Sequence, residues 1–357
     1  MIITPTLECG GSEKFVSLIC NHIDRSLFSV CLVVVTNARP FYQIKNKAVE
    51  IADLKKKRVL FSLSAIKKAV KKFKPDIIFS TANHLNLYLA IFRNQFSRNI
   101  KFVAREASIV SINSKQAKMP VLYSRLIKKY YNRFHLIICQ SAYMQQDLLN
   151  HYSIPVNKIR IVHNATAELP FSSIRPEKQE AERVYKFITI ARLSGEKGIE
   201  RLIHAVSLLT IPFTYFIIGE GNKRNDLQKL IDDLQLNNKA FLTGQKENPF
   251  SGMENADLFL MGSYYEGFPN VLLEASAHGI PVVAFNVPGG IAEIITTNEN
   301  GLLVADNDII AFAAAINKAI TTGFDRNKII ETTKKRFSVS SLMHAIENIF
   351  LKLAQNK

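Results

Sequence analysis

The sequence predicts an α/β protein built as two doubly wound, Rossmann-like domains facing a central cleft. Three observations predict it. Short apolar runs alternate with amphipathic segments along both halves of the chain, as parallel strands alternate with the helices that cover them. The alternation fails near residues 164–183, where Asn164, Pro170, Ser172, Ser173 and Pro176 stand in a polar and charged stretch, the composition of a linker. The chain's 357 residues suffice for two domains of ordinary size.

In the first half, apolar runs place strands at 1–6, 29–36, 76–80, 100–104, 135–139 and 159–162. Helical patterns lie between them at 12–24, 62–74, 84–95, 120–133 and 142–151. The second half repeats the plan. Strands are expected at 186–191, 214–219, 239–243, 257–261, 281–285 and 301–304, with helices at 197–209, 223–235, 268–278, 290–296 and 308–321. The domains are therefore read as 1–165 and 184–336, joined by a linker at 166–183. A last helix near 339–355, within a terminal segment 337–357, suits either domain and can cross back to the first. Ligands of such sheets bind beyond the carboxyl ends of the strands, so the loops there hold the candidate functional residues.

The most informative loop is Tyr265-Glu266-Gly267-Phe268-Pro269-Asn270-Val271-Leu272-Leu273-Glu274. Pro269 suits a first helical turn, and Gly279 followed by Pro281 suits the stop. Glu266 then sits on the loop before the helix, and Glu274 lies one to two turns inside it. Between the two carboxylates are the unpaired N–H groups of the helix start, at the positive end of the dipole. They suit a phosphate, and the flanking acids suit hydroxyl groups. A nucleotide-sugar presents that order: sugar hydroxyls, diphosphate, ribose hydroxyls. Eight residues of helix rise about 12 Å, an upper limit comparable to that span.

Four further strand ends carry candidates. Ala191-Arg192-Leu193-Ser194-Gly195-Glu196-Lys197-Gly198 follows the strand at 186–191. It puts two cations at one mouth of the sheet, which suits a diphosphate. Gly10-Gly11-Ser12-Glu13 follows the first strand and opens a helix, and glycine lets backbone N–H groups approach a phosphate closely. Gly219-Glu220-Gly221 and Gly244-Gln245-Lys246 hold equivalent places in the second domain. They are expected to line a base and ribose pocket, although either segment equally serves a tight turn.

Net charge is +16. Residues 1–170 hold 26 Lys and Arg against 9 Asp and Glu, whereas residues 171–357 hold 20 against 21. The whole excess lies in the first half, so that half is expected to meet something anionic: a membrane surface, a nucleic acid or a phosphorylated substrate. Nucleic acid is set aside, because no recognition module is visible and the basic segments lie on separate helices. No basic segment followed by an apolar one opens the chain, and no apolar run approaches the roughly 18 residues of a membrane span. Cys9, Cys20, Cys31 and Cys139 are scattered, which reads as reduced thiols in a cytosolic protein.

Taken together, Arg192-Leu193-x-x-x-Lys197-Gly198, Gly219-Glu220-Gly221, Glu266-Gly267-Phe268-Pro269-Asn270-x-x-x-Glu274 and Pro281 to Pro288-Gly289-Gly290 resemble the retaining glycosyltransferases of family four, which have the GT-B fold. The resemblance covers most of the chain and is strongest over 186–304. The opening Gly10-Gly11-Ser12-Glu13 resembles the Gly-Gly-Ala-Glu of bacterial members that build O-antigen, capsule or other lipid-linked glycans. The resemblance implies that Arg192 and Lys197 bind the diphosphate and that Glu266 contacts donor sugar hydroxyls. It implies that the amides of Phe268 to Val271 flank the phosphates, that Gly267 and Pro269 belong to the same donor-binding loop, and that Glu274 holds the ribose. Gly219 and Gln245 fall on the base side, and Gly11 approaches the diphosphate from the first domain.

In the first domain the family often places a His or an acid near the sugar. The corresponding stretch here is Val103-Ala104-Arg105-Glu106-Ala107-Ser108. Arg105 stands where related sequences commonly show His and is a candidate contact to sugar or acceptor, and Glu106 is the candidate for contact with donor sugar or acceptor. His84, after the strand at 76–80, is a second candidate. Two basic stretches bear on the acceptor. Lys67, Lys68, Lys71 and Lys72 share one face of 63–74, and Arg125, Lys128, Lys129 and Arg133 mix with aromatic residues over 122–134. Such faces suit an anionic membrane, or equally an ordinary amphipathic helix with its lysines in water.

These readings converge on a glycosyltransferase that moves a sugar from a nucleotide-sugar, a UDP-sugar, to a lipid-linked saccharide, peripheral on the cytoplasmic face of a membrane. Glu266 and Glu106 are the expected catalytic residues. Arg192, Lys197 and the 268–271 amides would stabilise charge growing on the leaving diphosphate, and domain closure would exclude water. No Asp-x-Asp pair is placed to hold a divalent ion, so no metal or other cofactor is expected. The alternatives are a nucleotide-sugar epimerase or hydrolase on the same fold, and a non-catalytic polyanion-binding module.

Overall fold

A computed structural model describes residues 1–38, 40–166, 183–253 and 255–355. The expected linker, apart from its two end residues, lies outside them. The chain divides into two compact units, Met1–Ala165 with Val339–Lys357, and Thr166–Ser338.

The first unit holds β1 (Ile2–Thr4), α1 (Gly11–His22), β2 (Cys31–Val34), β3 (Glu50–Asp53), α2 (Leu63–Phe73), β4 (Ile77–Thr81), α3 (Asn83–Phe92), β5 (Lys101–Arg105), α4 (Val110–Lys115), α5 (Pro120–Tyr130), β6 (Leu136–Cys139), α6 (Ala142–Tyr152) and β7 (Ile159–Ile161). The strands are parallel, in the order β3-β2-β1-β4-β5-β6-β7. Runs such as Leu32, Val33 and Val34 are fully buried, as strands covered by helices on both faces require. Local chemistry sets the helix ends. Pro120 opens α5, where its missing N–H costs nothing. Lys74 closes α2 in the left-handed conformation, φ 47°, one residue before Pro75.

The second unit holds β8 (Tyr185–Ile190), α7 (Ile199–Ser207), β9 (Phe213–Ile218), α8 (Arg224–Asp233), β10 (Ala240–Gly244), β11 (Leu258–Met261), α9 (Asn270–Ala277), β12 (Val282–Asn286), α10 (Ile291–Ile294), β13 (Gly301–Ala305), α11 (Ile309–Thr322) and α12 (Arg326–Phe337). Its parallel order is β10-β9-β8-β11-β12-β13. The core centres on Phe187, Tyr215, Phe259 and Phe285, with the Phe312 ring of α11 tilted against Phe285 at 4.5 Å between centroids. The last helix, α13 (Val339–Gln355), packs in the first unit. Leu342, Met343, Ile346 and Phe350 join the α1 core, and Phe350 meets Phe79 edge-on at 5.5 Å.

Three elements escape the sequence reading. β3 is an edge strand, Glu50-Ile51-Ala52-Asp53, whose acids break the apolar pattern. α4 has only six residues. α12 buries Ile329, Thr333 and Phe337 beneath an otherwise charged surface.

In both sheets the chain order reverses once. The reversal falls between β1 and β4 in the first unit and between β8 and β11 in the second. Loops leaving the carboxyl ends of those strand pairs diverge to opposite faces and leave a crevice.

Candidate active site

The second unit's crevice is built by two loops whose backbones touch. After β8 the chain runs through Arg192 to Gly198, and after β11 through Gly262 to Pro269. Gly198 is left-handed, φ 55°, and a Cβ there would stand 2.0 Å from the Gly262 carbonyl oxygen. A Cβ on Gly262 would stand 2.3 Å from the Gly198 oxygen. Only glycine at both positions permits this approach.

The contact brings Lys197 to Glu266. Lys197 Nζ donates to Glu266 Oε1 at 2.7 Å, and the two side chains are 19% and 13% exposed. Ser263 Oγ donates to the same oxygen at 2.6 Å. A third segment grips the backbone. Glu266 N donates to Pro288 O and Gly290 N to Gly267 O, both at 3.0 Å. Gly289, φ 126°, lies so close that a Cβ would be 1.5 Å from the Glu266 backbone carbonyl oxygen. Glu266 is thus half-buried, paired and held at both ends.

α9 starts three residues after Gly267. Pro269 is its extended N-terminal boundary and Asn270 its first residue. Phe268 turns its ring inward against Phe337, 5.6 Å away and edge-on, so only its backbone faces the loop. The first amides of a helix have no partner within it, and those of Asn270 and Val271 open next to the Glu266 loop. Glu274 lies on the second turn of α9, partly exposed.

Other expected members sit apart. Arg192 is largely exposed, and its guanidinium reaches Glu196 Oε1 at 2.9 Å rather than the Lys197–Glu266 pair. Gly219, φ 150°, and Gly221 lie against the β8 loop. A Cβ on them would stand 1.9 Å from Ala191 O and 2.3 Å from Leu193 O. Their smallness lets the Arg192 loop fold down, which is a packing role at the place where a base pocket was expected. Gln245 is exposed after β10.

In the first unit, Gly11 is exposed at the start of α1, and Gly10 precedes it in extended conformation. Arg105 and Glu106 correct the sequence reading. Both were expected to touch sugar or acceptor, and both are fully buried. The Arg105 guanidinium lies 3.7 Å over the Phe15 ring and donates to Asn164 Oδ1 at 2.5 Å. Burial lowers its pKa to about 9, against the raising effect of Glu106 and Glu13. Glu106 Oε1 accepts from Asn86 Nδ2 at 2.8 Å and from Tyr131 OH at 3.0 Å. Burial pushes its carboxyl up to about 7, although the Asn86 and Tyr131 bonds pull the other way. The physical reason is shared: Arg105 ends β5, and the chain stays beneath α1 and α3 for one more residue.

What lines the first unit's own crevice is a neighbouring set. Ser12, Asn83, His84, Asn113, Gln116 and Tyr123 line a cavity of about 360 Å³ beside the β1 and β4 ends. His84 stands at its rim, and partial desolvation lowers its imidazole pKa. The amide and hydroxyl groups there suit sugar hydroxyls. At the opposite edge, where β4 and β5 begin, Lys67, Lys68, Lys71, Lys74, Arg98 and Lys101 line a cavity of about 1090 Å³. Lys72 instead pairs with Glu50 at 2.8 Å.

Residues 171–336 match the family described as glycosyl transferases group 1, and residues 9–167 match glycosyltransferase family 4. The chain belongs to the family-four glycosyltransferases of GT-B fold. It is 28% identical over 314 residues to the N-acetylgalactosamine-N,N'-diacetylbacillosaminyl-diphospho-undecaprenol 4-alpha-N-acetylgalactosaminyltransferase of Campylobacter jejuni, covering 85% of each chain. It is 29% identical over 261 residues to an uncharacterized glycosyltransferase of Methanocaldococcus jannaschii, covering 68% of this chain and 63% of that one. The structure of Anabaena HepE in complex with UDP superposes with a TM-score of 0.80 at 19% identity, over 98% and 99% of the two chains.

Within this glycosyltransferase, sequence reasoning missed Ser263 and Gly262. A Gly-Ser pair directly after the apolar run 258–261 was the available signal. It gains meaning only once β8 and β11 are known to be neighbours.

Proposed function

We propose that this glycosyltransferase transfers a sugar, with retention of anomeric configuration, from a UDP-sugar to a lipid-linked saccharide in surface polysaccharide synthesis. The observation that carries the reading is the Lys197–Glu266 pair at the β8–β11 crevice, beside the start of α9. Both described side-chain bonds to Glu266 end on Oε1, so Oε2 is the oxygen that accepts from the donor sugar. Lys197 and the amides of Asn270 and Val271 then face the diphosphate, where charge grows as the bond from the anomeric carbon to the phosphate oxygen breaks. Glu274 takes the ribose hydroxyls. Arg192 swings from Glu196 to the outer phosphate. Retention follows from attack by the acceptor hydroxyl on the face that the diphosphate leaves. The solved UDP complex of HepE supports the nucleotide, and the undecaprenol-linked substrate in the Campylobacter relative's name supports the acceptor class.

The acceptor saccharide occupies the cavity beside His84 and Tyr123. Its membrane anchor is met by the adjacent start of α5, where Met119, Val121 and Leu122 are 63%, 64% and 46% exposed. Lys115, Lys118 and Arg125 flank them. Among the described residues no helix is long and apolar enough to cross a membrane, and the enzyme works peripherally, on the cytoplasmic face.

A thermal-shift panel of UDP-, GDP- and ADP-sugars tests the donor, because a ligand at 100 times its Kd adds about 2.7 kcal/mol of stability. A shift with UDP-sugars alone is expected. Turnover of donor without acceptor, or no shift with any nucleotide-sugar, would overturn the reading.

A further inference from the structure

Arg201 sits in the first turn of α7 and is 3% exposed. A buried guanidinium is costly unless every nitrogen is bonded, and here each one is. Nε donates to Gly262 O at 2.6 Å and Nη2 to Ser263 O. Nη1 donates to Asp306 Oδ1 at 2.6 Å and to Asn307 Oδ1 at 3.1 Å. The planar group also lies 4.1 Å from the Tyr264 ring centre and 3.9 Å from that of Phe285. One side chain therefore joins the β8, β11 and β13 ends.

Both carbonyls it holds belong to the loop that carries Glu266. They are successive, and the second is that of Ser263, whose hydroxyl bonds the Glu266 carboxylate at 2.6 Å. Fixing the 262–263 backbone fixes where that hydroxyl points, and hence which oxygen of Glu266 is engaged. Asp306 is 43% exposed and balances the charge from the solvent side. A lysine at 201 would keep the charge but lose the fork that spans two carbonyls and a carboxylate.

We infer that Arg201 is a positioning residue for sugar recognition: through the Gly262 and Ser263 carbonyls and the Ser263 hydroxyl, it sets Glu266 to accept donor sugar hydroxyls. This rests on the proposal that Glu266 meets the donor sugar. The structure thus assigns the gain in affinity of the nucleotide-sugar over the bare nucleotide to a residue that touches neither.

The test titrates UDP and the UDP-sugar selected by the panel into Arg201→Lys, Ser263→Ala and Glu266→Gln enzymes, with kcat and KM measured beside them. Arg201→Lys is expected to hold UDP affinity within about twofold. The advantage of the UDP-sugar over UDP, and kcat, should fall ten- to a hundredfold. Equal losses for both ligands, or no loss, would overturn the inference, since a merely structural cation changes both alike. Ser263→Ala cuts the link without exposing the buried charge, so it serves if Arg201→Lys does not fold. The same selective loss is expected from it, and an unchanged sugar increment would equally defeat the idea. Glu266→Gln separates the two levels: if it keeps the sugar increment, the donor-sugar reading itself fails and the Arg201 inference falls with it.

Discussion

Lys197 Nζ lies 2.7 Å from Glu266 Oε1, although 69 residues separate them. The backbones of Gly198 and Gly262 bring the two loops together, meeting where neither tolerates a Cβ, and the Arg201 side chain holds the Gly262 and Ser263 carbonyls in place. The ion pair depends on this packing, and its half-buried state makes it sensitive to small backbone shifts. Removing one charge would leave the other partly desolvated, which is the expensive outcome for buried pairs.

This gives a first prediction. Gly198→Ala forces a Cβ to within 2.0 Å of the Gly262 oxygen at a left-handed φ of 55°. A strained non-glycine residue costs of order 1–3 kcal/mol, and the clash adds to it, so a loss of about 3 kcal/mol or more is expected in urea unfolding. Gly195→Ala is the control. It sits three residues earlier with nothing within 4 Å of the added carbon. It should be neutral, or stabilising by up to about 1 kcal/mol. Equal effects at the two positions would show that backbone contact does not set this loop.

The legible and hidden parts of this molecule differ in kind. The α9 start could be read because its signals are consecutive: Pro269 before Asn270, and Gly279 with Pro281 after. The two parallel sheets followed from apolar runs at regular spacing. Arg201 could not be read. On a helix that also carries Glu200 and His204 among Ile199, Leu202, Ile203, Ala205 and Val206, an arginine looks like part of the solvated face. Only the strand order β8-β11 and the β13 turn reveal that it is enclosed. Glu106 misled for the converse reason. A charged pair at a strand end suggests a ligand, yet α1 and α3 cover it, and Asn86 and Tyr131 supply its partners. β3 stayed hidden because edge strands carry charge, as Glu50 and Asp53 do, and charge blunts edges against unwanted pairing.

Glu106 gives a pH prediction. Its folded pKa, about 7, lies above the ordinary carboxyl value of 4.5. The folded state therefore binds a proton that the unfolded state has released, and the sign follows. Between about pH 4.5 and 7 its contribution to stability falls as pH rises. It is fully present below 4.5 and gone above 7. One pKa unit is worth about 1.4 kcal/mol, so the span is at most between about 3 and 4 kcal/mol. His135 acts oppositely in the same window. Its Nδ1 accepts from Phe102 N at 3.0 Å, and burial with neighbouring cations lowers its pKa to about 4. Its contribution is lost as pH falls below about 6.5. The wild-type curve alone mixes the two. Glu106→Gln mimics the protonated acid, so the difference between variant and wild type isolates Glu106. The variant should gain on the wild type from pH 5 to 7.5. A constant difference across that range would mean that the carboxyl ionises freely.

The last prediction concerns the membrane and turns on which force dominates. Two loops at the carboxyl edge of the first sheet expose apolar side chains beside cations. Leu60 and Phe61 are 66% and 62% exposed after Lys55, Lys56, Lys57 and Arg58, and Met119, Val121 and Leu122 follow Lys115 and Lys118. Tyr88 OH of α3 donates to Leu60 O at 3.1 Å, which ties the first loop to the helix that also packs on α5. A cation near an anionic surface adds about 1 kcal/mol, and salt screens it. A large apolar side chain taken fully from water adds about 1.5–3 kcal/mol, and salt does not weaken it. If both loops insert, apolar contacts exceed charge. Phe61→Ser with Leu122→Ser should then weaken binding to phosphatidylglycerol-rich vesicles by tenfold or more, at low and high salt alike. Lys57→Gln with Lys118→Gln should weaken it less, and only at low salt. Because all four side chains are exposed, stability should stay within about 0.5 kcal/mol of wild type, so lost binding cannot be ascribed to unfolding. Vesicle co-sedimentation at two ionic strengths reads both arms. Full retention by the serine variant would leave the surface charge as the sole attraction, and the remote lysines lining the 1090 Å³ cavity would then become the contact to mutate.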